Sequence, residues 1–142
     1  MRNELKSLII LFKAYNSVEK NVKHSLAHTD INVNEFTAME ALFVKGSLTT
    51  QELIDTVLIP NSSMTYVLDI LSKKNYITKE KKEKDKRIQI IALTELGKKV
   101  FEEIYEKHYS YMHSIFSVLS EEEEVQLQDL LKKLGKKSEE YT

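Results

Sequence analysis

Two adjoining stretches hold the side chains whose type and spacing can do chemistry. Over residues 61–71, Met64, Val67, Leu68 and Leu71 recur at helical spacing and make one apolar stripe, which leaves Asn61, Ser62, Thr65, Tyr66 and Asp69 on the opposite face. These polar side chains hydrogen-bond at close range, so a face built from them suits base edges and phosphates in a groove better than open solvent. Directly afterwards the charge changes. Residues 73–87 carry eight basic side chains (Lys73, Lys74, Lys79, Lys81, Lys82, Lys84, Lys86, Arg87) against three acidic ones (Glu80, Glu83, Asp85), in a chain whose net charge is −1. Concentrating positive charge beside one polar helix gives a near-neutral molecule a directed electrostatic surface.

Other chemistry is poorly supplied. There is no glycine-rich phosphate loop, nucleophile elbow or HExxH-type metal motif, and the serines and histidines fall where caps and helix faces are expected, so an enzyme is not expected. His24 and His28 stand at i and i+4, a spacing that can share a zinc ion on one helix face, whereas His108 and His113 are five apart, the wrong step for one face. Partly exposed structural histidines are the simpler reading, and neither a metal nor another cofactor is expected. The absence of cysteine removes disulfides, thiolate metal sites and thiol redox switching. The early apolar run of residues 8–12 ends at Lys13, too short for a signal or a membrane span, from which a cytoplasmic location and no membrane partner are expected. The acidic run 121–124 reads as acids favoured at a helix N-terminus.

These stretches need a frame. A chain of 142 residues with one Pro and three Gly favours a single, mainly α domain. Leu5, Leu8, Ile9, Phe12, Tyr15, Val18, Val22 and Leu26 step through a first helix of about seven turns, with more apolar face than one small core needs. Asn34 is expected to cap a second helix whose Phe36, Met39, Leu42 and Phe43 face inward and which Gly46 stops. Thr49 and Glu52 form a capping box that starts a short third helix burying Leu53, Ile54 and Val57. Pro60 then turns the chain into the helix described above. Short helix, tight turn and a second helix with a polar outer face make a helix-turn-helix.

Asn75 suits the left-handed conformation that ends helices. Residues 76–81 and 88–93 read as two strands flanking a charged tip, 82–87, a hairpin wing. Asp85 is either a simple turn former or a carboxylate that accepts from the Arg87 guanidinium and holds it extended. Thr94 caps a long helix running to about Leu119. Ser120 and Glu123 form a second capping box, opening a last helix closed by Gly135.

The pattern LTTQELIDTVLIPNSSMTYVLDILSKKNYI and the run DKRIQIIALTELGKK, with its Asp-x-Arg followed by a strand and Leu-Thr-x-x-Gly, resemble the MarR family of bacterial transcriptional regulators over nearly the whole chain. The runs SSMTYVLDILSKKNYI and NVNEFTAMEALFVKG are similar to its MhqR-type branch, associated with quinone and hydroquinone response. Tyr66 departs from the Arg that many members carry in the recognition helix, and the missing cysteine departs from the cysteine-oxidation sensors. The resemblance implies a winged helix-turn-helix of mainly α structure with a small β-hairpin wing, as one domain over 1–142. Residues 34–94 would form the DNA-binding lobe, and 1–30 and 95–142 would supply dimerisation helices. It implies a homodimer that represses transcription from a pseudo-palindromic operator in double-stranded DNA and is released by a small aromatic, quinone-like effector. Asn61, Ser62, Ser63, Thr65 and Tyr66 would meet the major groove and Thr49 a phosphate. Lys82, Lys84, Lys86 and Arg87, with Asp85 behind them, would form the wing contact. Tyr15, Phe36, Met39, Tyr105 and Tyr109 would be candidates for lining the effector pocket, beside the simpler reading that aromatics at helical spacing are ordinary core. A winged helix that binds protein instead of DNA, or one that responds to metal, are the alternatives; the former expects an apolar or acidic wing, and this one is basic.

Overall fold

The computed structural model describes residues 2–57, 59 and 61–142, and of Asn61 the backbone only. Among these, six helices and three short strands follow one another as α1 (Asn3–Leu26), α2 (Val33–Lys45), β1 (Leu48–Thr49), α3 (Thr50–Thr56), α4 (Asn61–Lys73), β2 (Ile77–Lys81), β3 (Gln89–Leu93), α5 (Glu95–Phe116) and α6 (Glu121–Glu139). The order matches the mainly α, winged expectation. The turn residues Leu58 and Pro60 lie outside the described residues.

Residues 1–108 form one compact unit and 109–142 another. In the first, Met39, Leu53, Met64, Leu71, Ile91 and Phe101 are the largest fully buried side chains, one or more from each of α2, α3, α4, β3 and α5. The stripe on α4 is fully committed to this core, since Met64, Val67, Leu68 and Leu71 are all buried. α1 is different: Leu26 is its only described buried residue, and Leu5, Leu8, Ile9, Phe12 and Tyr15 remain exposed along it. Burial of such a stripe is a favourable term that the first unit by itself leaves unused. In the second unit, α6 likewise buries none of its residues.

The sheet has the order β1-β3-β2, antiparallel throughout, with Leu48 opposite Ile91 on one side of β3 and Ile77 opposite Leu93 on the other. The sequence reading missed β1. Two residues carry no readable alternation, and the partner strand lies about forty positions on. Its effect is to bind the start of α3 to the wing.

Helix boundaries follow local caps, with three corrections. α2 is capped by Asn32 and not by Asn34: the Asn32 side chain accepts from the Glu35 amide at 2.8 Å, and Glu35 returns the bond to the Asn32 amide. The two capping boxes read from the sequence form as expected, Thr49 with Glu52 and Ser120 with Glu123. Gly135 does not close α6, which continues to Glu139 with Lys136 and Lys137 in its last turn, where cations favour the helix dipole. α5 ends at Phe116, three residues short of the expected Leu119.

The junction of α4, β2 and α5 is tighter than any pattern announces. Asn75 sits at φ 64°, and the Tyr76 amide donates back to the Leu71 carbonyl at 3.0 Å, ending α4 in a left-handed turn. The Tyr76 carbonyl then accepts from the Thr94 amide at 3.0 Å, while the Thr94 hydroxyl donates to the Asn75 carbonyl at 2.7 Å and accepts from the Gly97 amide at 2.9 Å. Helix α5 lies so close that a methyl group at position 97 would stand 2.1 Å from the Tyr76 oxygen. This is the physical content of the Leu-Thr-x-x-Gly motif. Gly97→Ala is therefore expected to cost about 3 kcal/mol by overpacking against backbone. Gly135→Ala, which meets nothing within 4 Å, is expected to be neutral or to stabilise α6 by up to about 1 kcal/mol. Urea denaturation of both variants checks the pair, and similar midpoints would contradict the close packing.

Candidate nucleic-acid interface

The residues singled out on α4 form a continuous outward face. Ser62, Thr65 and Tyr66 are exposed, Tyr66 at 68%, and Ser63 is half-buried. The side chain of Asn61 lies outside the described residues. The apolar face fixes the rotation of the helix about its axis, so this polar face cannot turn inward without exposing Met64 and Leu71.

The wing is tied to that helix. Lys79 on β2 donates to the Asp69 carboxylate on α4 at 2.6 Å, a contact that holds the Asp69 carboxyl below its ordinary range. Lys79, one of the eight basic residues of 73–87, thus serves as a strut. At the tip, the Lys82 amide donates to the Ile88 carbonyl at 2.8 Å and the Ile88 amide to the Asp85 carbonyl at 3.0 Å.

Asp85 plays both of the roles left open above. One of its oxygens accepts from the Arg87 amide and from Arg87 Nε, and the other from Arg87 Nη2, each at 3.0 Å. This is a bidentate fork, and it holds an arginine whose side chain is 91% exposed in a single extended direction. The guanidinium, followed by the Arg87 amide, depresses the Asp85 carboxyl below its usual value. The folded value lies below the unfolded one, so the fork is complete above the ordinary carboxylate range and is lost as pH falls through the depressed value. Lys82, Lys84 and Lys86 are exposed beside it and form no ion pair among the described residues.

Thr49 is half-buried at the start of α3, its hydroxyl oxygen accepting from the Glu52 amide at 3.1 Å. The returning bond from the Thr49 amide is the main cause of a depressed Glu52 carboxyl, with a smaller contribution from the charge of Lys82. The hydroxyl proton of Thr49 remains able to meet an acceptor outside the helix.

A second feature of the first unit is an open groove of about 1120 Å³ between the C-terminal half of α1, the α1–α2 turn, α2 and the end of α3. Tyr15, Glu19, Lys23, Thr37 and Glu40 give it polar points on a wall that includes Leu26, Ile31 and Val57. The Tyr15 hydroxyl is raised above its ordinary value chiefly by its hydrogen bond to Glu19, and burial pushes the Glu40 carboxyl up. Of the five residues expected to line an effector pocket, Tyr15 is in this groove. Phe36 and Met39 are buried core, with Phe36 stacked on Phe101 at 5.3 Å. Tyr105 packs on Phe101 at 5.6 Å, and Tyr109, in the second unit, on His113 at 5.9 Å. Glu19, Lys23 and Glu40 on the groove wall were not singled out from the sequence, because a charged residue on a helix reads as solvated until its neighbours are known.

The histidines are also placed. α1 ends at Leu26, so His28 lies beyond the helix that was to present it with His24. His108 packs tilted against Phe36, ring centroids 4.8 Å apart, and meets the Ser25 hydroxyl through Nδ1 at 2.8 Å, and burial lowers its pKa. No cluster of three or more potential metal ligands occurs among the described residues.

Comparison with known proteins gives a consistent picture. A model of the MarR family matches residues 31–89. The HTH-type transcriptional regulator MhqR of Bacillus subtilis is 30% identical over 137 residues, spanning 96% of this chain and 94% of the relative. Among solved structures, NadR in complex with 4-hydroxyphenylacetate is 28% identical with a TM-score of 0.75, covering 89% of each chain. A mutant MarR from E. coli complexed with operator DNA superposes with a TM-score of 0.80 over 93% of this chain and 96% of that one; at 23% identity the likeness concerns the fold.

The Asp85–Arg87 fork generates a test with an informative sign. Removing Asp85 deletes a negative charge from the basic tip, which by charge alone strengthens attraction to a polyanion. It also frees Arg87 to sample many rotamers, and immobilising such a side chain on binding costs about 0.5–1.5 kcal/mol. Asp85→Ala is therefore expected to weaken duplex binding about two- to twelvefold, the equivalent of that cost. Fluorescence anisotropy at fixed salt measures it, and tighter binding would show that the tip acts through charge alone.

Proposed function

The chain belongs to the MarR family of transcriptional regulators, and from that premise we propose that it is a homodimeric repressor, released from a pseudo-palindromic operator by a small aromatic, quinone-like effector. Its relatives are named as regulators and not as enzymes. The observation that carries the DNA-binding part is the outward polar face of α4 joined to an exposed, forked Arg87 by the Asp69–Lys79 strut.

In this reading Asn61, Ser62, Ser63, Thr65 and Tyr66 read base edges in the major groove. Thr49 takes a phosphate, and Arg87 with Lys82, Lys84 and Lys86 approaches the adjacent minor groove, where a narrow channel attracts cations. The lobe over 34–94 supplies these contacts. The segments 1–30 and 95–142 supply the dimer, for which the exposed stripe of Leu5, Leu8, Ile9 and Phe12 and the exposed Leu130 and Leu134 of α6 are the support. Two recognition helices then sit about one duplex turn, roughly 34 Å, apart. The protein works in the cytoplasm with its operator. No described helix is long and apolar enough to cross a membrane.

The effector enters the groove beside Tyr15. The ligand of NadR, 4-hydroxyphenylacetate, and the similarity to MhqR support an aromatic carrying hydroxyl groups. Such a ligand lowers DNA affinity only by preferring the arrangement in which the recognition helices are wrongly spaced.

A mobility-shift experiment on the chain's own upstream DNA, at two salt concentrations and with hydroquinone, benzoquinone and 4-hydroxyphenylacetate, tests the whole. Specific, salt-sensitive binding released by at least one aromatic is expected; binding that does not distinguish the upstream DNA from unrelated duplex would sink the operator reading. Within that assay, Arg87→Ala is expected to weaken binding across all sequences and to reduce the salt slope by about one. Thr65→Ala is expected to relax base preference by about 1–3 kcal/mol at one position. Equal effects of both variants on every duplex would contradict this division of labour.

A further inference from the structure

The groove and the recognition helix share a wall that the proposed function does not use. Thr29, Ile31, Asn32 and Val33, which make up the α1–α2 turn and the start of α2, line the groove. The turn is stitched internally: the Thr29 hydroxyl has its one proton within reach of both the Leu26 carbonyl at 2.7 Å and the Ile31 carbonyl at 3.0 Å, and accepts from the Ile31 amide at 3.2 Å. A segment so braced shifts as a piece.

Interleaved with those lining residues are Asp30 and Glu35, and both hold the exit of α4. Lys74, the residue after the end of that helix, donates to the Asp30 backbone carbonyl and reaches Glu35 Oε1 at 3.0 Å and Asp30 Oδ2 at 3.9 Å. The Tyr76 hydroxyl donates to the same Asp30 carboxylate at 2.8 Å. Glu35 is the one buried charged residue described, at 4% exposed, so its pairing with Lys74 has no substitute in solvent. At the other end of α4, Thr56 and Val57, the last described residues before the turn into that helix apart from Ile59, also line the groove. One cavity thus touches the segments that hold the recognition helix at both ends.

We infer that Lys74 is the positioning residue through which occupancy of the groove is transmitted to the recognition helix, by way of its bonds to Asp30 and Glu35. This rests on the groove being the effector site. A ligand that displaces the braced turn moves the Asp30 carbonyl and carboxylate and the Glu35 carboxylate together. Lys74 either follows, carrying the C-terminal end of α4, or leaves a buried carboxylate without its cation. The first course costs less, because breaking a buried pair is strongly destabilising. Coupling then travels through a two-ended, physically contiguous element whose position the groove biases.

The absence of cysteine from the chain permits a test that needs no knowledge of the natural effector. A single Thr37→Cys substitution on the groove wall, labelled with pyrene maleimide, fills the groove in the full-length protein. Operator affinity is measured before and after labelling in three backgrounds: Lys74 unchanged, Lys74→Arg and Lys74→Met. Labelling is expected to weaken operator binding about tenfold where Lys74 or Arg completes the clamp, and less than about twofold with Met. A merely structural role for Lys74 predicts a different baseline affinity with the same labelling ratio in all three, and that result, or no effect of the label anywhere, overturns the inference. Should Lys74→Met lose operator binding altogether, Glu35→Gln, which keeps the shape of the buried side chain but removes the charge that Lys74 pairs with, carries the test. A reduced labelling ratio supports the clamp, and an undiminished one overturns it. Failure of the unlabelled protein to bind its operator overturns the parent reading instead. Release by the tethered probe when no free aromatic releases leaves the clamp standing and overturns only the effector assignment.

Discussion

The carbonyl oxygen of Tyr76, with α5 laid directly against it, is the constraint on which the rest of the structure depends. It accepts from the Thr94 amide and tolerates no side chain on Gly97. Just before it Asn75 adopts a left-handed turn, and just beyond it β2 begins. Within four residues the chain fixes where α4 ends, where the wing starts and where the long fifth helix departs. The side chains flanking this point reach the other way, Lys74 to Glu35 and the Tyr76 hydroxyl to Asp30. A helix-turn-helix is a small object, and its precision here comes from this crossing of backbone contacts more than from its own few turns.

Electrostatics divides the same segment into two kinds of cation. Lys74 and Lys79 are partly shielded, at 27% and 24% exposed, and each is held by a carboxylate. They hold the elements together. Lys82, Lys84, Lys86 and Arg87 stand free of such shielding, and of these only the arginine is aimed, by a fork that uses both oxygens of Asp85. A flexible lysine neutralises a phosphate from many positions, while a directed guanidinium is suited to a narrow groove. The net excess of positive charge therefore overstates how many side chains are available to a nucleic acid and understates how well one of them is placed.

Much of this is legible in the sequence wherever the signal is local. The capping boxes Thr49–Glu52 and Ser120–Glu123, the left-handed Asn75, and the motifs Asp85-x-Arg87 and Leu93-Thr94-x-x-Gly97 depend on neighbours a few positions apart, and each is found where expected. The α2 cap was readable too: Asn32 has Glu35 three residues on, and Asn34 does not have that partner at the right step. What is not legible depends on partners far along the chain. β1 exists because β3 receives it. Glu35 is buried because Lys74 arrives 39 positions later, and Phe36 and Met39 lie in the core, Phe36 stacked on Phe101 of α5. Aromatic and thioether side chains at helical spacing are apolar mass first, and only packing decides which of them line a cavity.

The proposed function has at its centre the claim that α4 and the Arg87 wing are the surfaces that read DNA, presented twice by a symmetric pair. Hydroxyl-radical footprinting of the protein on its own upstream DNA tests this most directly. The expected result is two protected blocks related by a two-fold axis, their centres separated by about one duplex turn or a multiple of it, with minor-groove protection at their flanks. A single block, or protection with no two-fold relation and no flanking minor-groove component, would contradict it.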